Sequence, residues 1–356
     1  MKIRGLLYLL LTISLAFILT GCFKGEQTMD KMDPPPENAE PVNQKKGEDV
    51  EAEDKTDEES KASETVARQL YLVDVNGMVA PQTVELPNPE SKAVAKQVLE
   101  YLVKGGPVTP ILPNGFQAVL PEGTEIKEMN LKEDGTMVVD VSEEFKEYEA
   151  EDELKIVEAM TFTLTQFENV ERIELRINGQ AVDEMPVNGT PISNGYSRVN
   201  GINLTDTDAI DIMNSDVLTM YFPAEHNEQR YYVPITRHVE KTEDNVYELV
   251  VNSLLDGPGY NTNLIHVFNT DTMLVDEPTL EDGVLSLTFN ENILKDPEQS
   301  MISDEVMETI VRSLTELQQV EAVNIQVENM DKLVNENGEA YEEPVSKKVF
   351  VPTDKL

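Results

Sequence analysis

Outside its carboxylates this chain has few side chains able to do chemistry, and their spacing argues against a reactive centre. Its three histidines, His226, His238 and His266, stand singly. None has a second histidine or a cysteine at the short spacing that a zinc site needs. His226 falls in a polar hairpin loop and His238 near a strand end. His266, within Leu264-Ile265-His266-Val267-Phe268, reads as a partly buried structural histidine rather than a catalytic base. No Gly-x-Ser-x-Gly elbow presents a serine nucleophile, and no Gly-x-x-x-x-Gly-Lys loop cradles a phosphate. Asp140 sits near a strand end, where a general acid or base could work, yet its counterpart in the second half of the chain is Thr288. Asn269-Thr270-Asp271-Thr272 offers oxygen ligands but lacks the glycine and terminal glutamate of an EF-hand loop. The expectation is no catalytic residue, no cofactor and no metal.

The one cysteine, Cys22, has a different chemistry. Lys2 and Arg4 precede an almost unbroken apolar run from Leu6 to Leu19, and Leu19-Thr20-Gly21 places small residues just before the thiol. The run is short for a membrane span. This pattern is similar to a bacterial lipoprotein signal, with residues 1–21 removed and Cys22 carrying the lipid, such as palmitate. The expected location is the extracytoplasmic face of the cell membrane, with the membrane itself as a partner through the anchor.

The formal net charge is -40, from 68 acidic and 28 basic residues. Loss of Lys2 and Arg4 with the signal would take it from -40 to -42. Such a chain repels phosphate backbones, so nucleic acid is close to excluded as a partner. Residues 22–67 combine Asp33-Pro34-Pro35-Pro36-Glu37 with the acidic blocks around Glu48–Asp54 and Asp57–Glu59. They cannot bury enough apolar surface to fold and read as a tether with a reach of about 35 to 40 Å, extended further by self-repulsion.

The rest of the chain is written twice. Val98-Leu99-Glu100-Tyr101-Leu102-Val103-Lys104-Gly105-Gly106-Pro107 returns as Val250-Val251-Asn252-Ser253-Leu254-Leu255-Asp256-Gly257-Pro258. Each is an apolar helical stripe stopped by glycine and then proline. The stripe Val157, Met160, Leu164, Phe167 recurs at an offset of 150 as Met307, Ile310, Leu314, Leu317. The strand Ile173, Leu175, Ile177 recurs at the same offset as Val323, Ile325, Val327. Asn76-Gly77, Asp134-Gly135 and Asp282-Gly283 are hairpin turns. Asn88, Thr242 and Ser303 are expected to cap the helices that follow them. The reading is an α+β protein of tandem duplicated β-β-α-β-β-α-β domains at 68–192 and 215–336. A linker at 193–214 joins them, and a C-terminal tail follows at 337–356.

The signal, the tether and the two helix-Gly-Pro units resemble the GerM-type family of sporulation and spore germination lipoproteins, with each unit similar to a GerMN domain. The resemblance implies helices packed on a small mixed sheet, akin to the ring-building motif of secretion-type assemblies. It also implies a non-enzymatic part in an envelope complex between mother cell and forespore. The partners it implies are a sporulation envelope complex or further copies of the chain. Peptidoglycan is the alternative, either bound by a wall-binding module or cut by a wall-modifying hydrolase. Only Cys22 carries over with a defined role. Tyr231 and Tyr232, at the start of a strand, are candidate contact residues, or ordinary core.

Overall fold

The computed structural model describes residues 65–89, 93–205, 215–240, 245–259 and 262–350. All of them lie in one compact unit, Lys61–Leu356. The signal, Cys22 and residues 22–64 lie outside the described residues; Thr65, Val66 and Ala67, read as the end of the tether, are instead the first residues of a strand, each paired across a hairpin.

Each repeat opens on a long hairpin. In the first, Thr65–Asp74 (β1) pairs antiparallel with Val79–Pro87 (β2). Asp74 Oδ1 accepts the N–H groups of Asn76 and Met78, which closes the Asn76-Gly77 turn. Helix Val94–Glu100 (α1) follows, and Phe116–Gln117 (β3) adds to the other edge of β1. Ile126–Leu131 (β4) then turns at Asp134-Gly135 into Thr136–Val141 (β5). Helix Glu153–Leu164 (α2) carries the chain across to Arg172–Ile177 (β6), which runs parallel to β5. Gln180–Ala181 (β7) and Tyr196–Ser197 (β8) both pair with β6.

The second repeat follows the same order. Ser215–His226 (β9) and Gln229–Glu240 (β10) form its hairpin, and Val246–Leu255 (α3) its first helix. Thr279–Glu281 (β11) turns at Asp282-Gly283 into Val284–Phe289 (β12). A small hairpin, Leu294–Asp296 (β13) with Met301–Ile302 (β14), precedes helix Asp304–Leu314 (α4). Ala322–Val327 (β15) lies parallel to β12, and Val345–Ser346 (β16) pairs with β15.

The duplicated α+β reading holds, with one refinement. The opening hairpins do not join the mixed sheet of their repeat; each stands as a separate small sheet. The mixed sheet is β4-β5-β6-β7 in one repeat, with β8 also on β6, and β11-β12-β15-β16 in the other, each with one parallel pair. This leaves helix α2 between two sheets, in contact with β1 on one side and β6 on the other. Every residue from Ile156 to Leu164 is buried as a result, well beyond the single stripe read from the sequence. Strand β5 is likewise covered on both faces, since Thr136 and Val138 are buried along with Met137, Val139 and Val141.

Three capping assignments change. Helix α1 starts at Val94 with no side-chain cap, so Asn88 lies outside it. Asn245 caps α3, its Oδ1 accepting the Tyr247 N–H at 3.0 Å. Thr242 lies outside the described residues. Ser303 holds the N-cap position of α4, but its side chain makes no capping bond. The glycine stops also differ between copies. Gly257 takes φ +83° directly after the cap residue of α3. In the first copy α1 ends at Glu100, and Gly105, at φ +71°, turns the chain several residues later.

The described parts of the stretches read as linker and tail, 193–205 and 337–350, are structured parts of their repeats. Within 193–214, β8 pairs with β6, and Tyr196 and Ile202 are buried. Within 337–356, β16 pairs with β15 and Val345 is buried. Both add a strand to an open sheet edge, which leaves fewer main-chain groups unpaired. Truncating the chain after Glu336 is expected to lower the melting temperature by more than about 5 °C, because a valine and an ion pair are lost. A thermal melt of the truncated chain checks it.

Candidate functional site

The sequence-derived candidates do not converge. Asp140 Oδ1 accepts the Gly179 N–H at 2.9 Å and so fixes the turn after β6. His238 Nδ1 meets Ser215 Oγ at 2.9 Å across the second hairpin. His226 lies at the tip of that hairpin beside Asn227. His266 packs against Phe268, with ring centroids 6.1 Å apart. In the Asn269–Thr272 loop, Thr272 Oγ1 donates to Asn269 O and Asn292 O, and Asp271 O accepts from Asn290 and Asn292. These bonds tie the loop to Asn290 and Asn292 after β12. No group of three or more metal-ligating side chains occurs among the described residues.

What the fold does bring together is a set of polar residues between the two repeats. Tyr71 on β1 and Tyr221 on β9, 150 residues apart, meet hydroxyl to hydroxyl at 3.3 Å. Their main-chain N–H groups make matching bonds to the helices behind them: Tyr71 to Thr163 Oγ1 at 3.0 Å, and Tyr221 to Ser313 Oγ at 2.9 Å. One position breaks the match. Glu316, at the end of α4, corresponds to Gln166 in the first repeat. Its carboxylate receives Arg198 Nη1 from the first repeat at 2.7 Å and the Tyr221 hydroxyl at 3.0 Å. Lys347, which follows β16, also donates to it. Arg198 and Lys347 occupy equivalent places, each directly after the serine that ends β8 or β16. The guanidinium of Arg198 also lies over the Phe162 ring at 4.5 Å and donates to Thr165 Oγ1 at 2.8 Å.

Charge decides the state of this cluster. Burial pushes the Glu316 carboxyl up, but Arg198 and Lys347 outweigh that and bring it down to about 2. The group is ionised at all ordinary pH values.

A second joint lies at Asn203, in the stretch between the repeats. Its carboxamide accepts the Val79 N–H at 2.8 Å and donates to Val79 O and Pro234 O, each at 2.7 Å. It therefore bridges the edges of β2 and β10. Its own N–H donates to Glu158 Oε2 on α2 at 3.2 Å. Glu158 is 3% exposed, and burial raises its carboxyl to about 7 against the pull of the Asn203 bond and Lys155. Tyr231 completes the contact: its hydroxyl donates to Asp74 Oδ2 at 2.8 Å, and its ring meets Phe116 edge-on at 4.9 Å. Tyr232 is buried under the Arg312 guanidinium, 4.9 Å from the ring centroid. Both tyrosines are thus core.

Beside Asn203 the hairpins part and leave a polar cleft of about 350 Å³. Its walls include Thr83 of β2, Arg230 and Tyr232 of β10, and Glu305 and Glu308 of α4. Sequence reasoning missed Arg198, Asn203, Glu316 and Lys347. The Gln166–Glu316 mismatch in an otherwise matched repeat is the signal that could have flagged the third.

Comparison with known proteins places this geometry. A family model described as "Germane: Sporulation and spore germination" matches residues 69–183 and 219–332. Over 351 residues the chain is 43% identical to the spore germination protein GerM of Bacillus subtilis strain 168, covering 95% of each chain. The solved tandem GerMN domains of the Bacillus subtilis sporulation protein GerM superpose with a TM-score of 0.74 at 47% identity, covering 79% of this chain and 98% of that one.

The two junction carboxylates have opposite pH signatures. Glu316 is depressed when folded, so its contribution is present above its ordinary value near 4.5 and is lost as pH falls toward 2. Glu158 is raised when folded, so the folded state is favoured below about 4.5 and loses that advantage as pH rises through 7. Glu158→Gln is expected to raise the melting temperature at pH 8 by several degrees and to flatten the profile between pH 5 and 8, a change on the order of 3 kcal/mol. Glu316→Gln leaves two cations sharing no carboxylate and is expected to cost about 3 kcal/mol at pH 7. Melts across this pH range check both.

Proposed function

This chain belongs to the Germane family of sporulation and spore germination proteins, and from that premise we propose that it is a lipid-anchored, non-enzymatic assembly component of a sporulation envelope complex. In this reading residues 1–21 are a signal peptide, Cys22 carries the lipid, and residues 22–64 are a tether that ends where β1 begins at Thr65. The folded repeats then stand off the extracytoplasmic face of the membrane. The observation that carries the reading is the joint between the repeats. Hydrogen bonds donated by Asn203, and those that Arg198 and Lys347 donate to the shared Glu316, hold two similar modules as one body. A single body with two related surfaces suits repeated lateral contacts with other copies or with a partner complex, and such contacts close into rings where the rotation allows.

The proposed chemistry of the anchor predicts that Cys22→Ser leaves a larger, unlipidated precursor. Metabolic labelling with a fatty-acid analogue and intact mass measure this, and label retained by the variant would contradict the anchor. The net charge near -40 predicts that self-association is weak at low salt and strengthens as salt screens repulsion. Sedimentation velocity at rising ionic strength is the test. A chain that stays monomeric, alone and with the envelope proteins of a sporulating cell, but degrades purified cell wall would replace assembly with a wall hydrolase. Saturable wall binding without turnover would favour a wall-binding module.

A further inference from the structure

The edges of β2 and β10 are used by this chain at one end and left open at the other. In an antiparallel ladder, successive residues point their N–H and C=O groups alternately toward and away from the partner strand. Val79 points away from β1, since its N–H goes to Asn203 Oδ1. By the same alternation Pro81 and Thr83 point away too. In β10, Thr236 donates its N–H to Ile202 O and Pro234 O accepts from Asn203, so Tyr232 and Arg230 share that outward direction. The stretch Ile202–Thr205 thus takes up one end of these edges, with Thr205 N–H donating to Thr236 O at 3.2 Å.

The other end is the 350 Å³ cleft. Pro81 O is taken by the side chain of its neighbour Gln82 at 2.7 Å, a local substitute for a strand partner. Among the described residues, no hydrogen bond takes up the outward main-chain groups of Thr83, Arg230 or Tyr232. Unpaired edges of this kind recruit extended chain, with main-chain bonds giving affinity and side-chain pockets giving selectivity.

Charge selects the occupant. On the wall formed by α4, Glu305 is paired with Arg230 and Glu308 with Arg312, which leaves Asp304 in excess. A chain of net charge -40 surrounds this local balance with a negative field. We propose that the cleft between β2 and β10 binds an extended, lysine-bearing peptide segment of a partner chain by strand addition. This rests on the assembly reading and names the chemistry of the partner it would engage.

The probes are three fluorescent nonapeptides titrated onto the full chain in detergent micelles. One alternates lysine with valine, the second replaces lysine by glutamate, and the third keeps lysine but places proline at alternate positions. The expected result is saturable binding of the first, with the other two at least about tenfold weaker. Thr83→Pro removes an outward N–H, at an edge position where proline is tolerated, and is expected to weaken the first peptide about fivefold or more. Glu305→Lys, checked for folding by circular dichroism, should weaken it as well. Equal binding of the lysine peptide and its proline version would reduce the effect to bulk charge and overturn the proposal. So would the absence of saturation up to about 1 mM. Full assembly in the sedimentation experiment without peptide binding sinks the cleft alone. Peptide binding without assembly sinks the assembly reading.

Discussion

One carboxylate with two claimants governs this molecule. Glu316 is about a tenth exposed, and it is reached by a guanidinium from the first repeat and an ammonium from the second. Removing an ionised carboxylate from water is costly, and here two cations and a tyrosine hydroxyl offset the cost. The arrangement works only when both repeats are in place and correctly turned, because Arg198 and Lys347 enter from different repeats. The two tyrosines at the centre add to this, since each is held by its own helix through a matching main-chain bond. Orientation is therefore specified by buried polar groups, while stability comes mainly from the apolar faces that surround them.

The duplication supplied two copies of one module, and the functional shape depends on where the copies stopped being identical. Gln166 is neutral and turns to Gln69 O, whereas Glu316 is charged and draws in both cations. From Ile156 to Leu164 helix α2 is buried at every position, Glu158 included, and Glu153 is buried in its first turn. Glu153 is spent locally, accepting the N–H groups of Val187, Asn188 and Thr190 and so fixing the loop after β7. Glu158 faces the other way and ties the helix to Asn203, the residue that spans both hairpins. The extended edges of those hairpins, partly filled by Asn203 and Thr205, shape the remaining cleft.

Much of the fold was legible because it rests on periodicity. Stripes such as Val157, Met160, Leu164 and alternations such as Leu285, Leu287, Phe289 are dictated by the geometry of helix and strand. They landed on α2 and β12. Glycine turns were legible for a steric reason, since Gly77, Gly135, Gly179 and Gly283 all take positive φ. What could not be read was pairing at a distance. Nothing local in Tyr196-Ser197 or Val345-Ser346 says that two residues will close a sheet edge, so these stretches looked like linker and tail. The site was hidden for the same reason. Arg198 and Glu316 are 118 residues apart, and in a chain with 68 acidic side chains no single one stands out. Tyr231 and Tyr232 were open between surface and core, and the Asp74 and Arg312 contacts place them in the core.

The fixed mutual orientation of the repeats, as one body, is set by the Glu316 and Asn203 contacts. Its most direct test is the distance distribution between spin labels at the exposed positions Glu128 and Glu298, one in each repeat, with Cys22 replaced by serine so that only the two labels report. The expected result is one narrow distance, unchanged from low to high salt because largely buried ion pairs are screened far less than exposed ones, and broadened when Glu316→Gln and Asn203→Ala are combined. A broad or salt-dependent distribution in the otherwise unaltered chain would contradict it and leave two independent modules on a string.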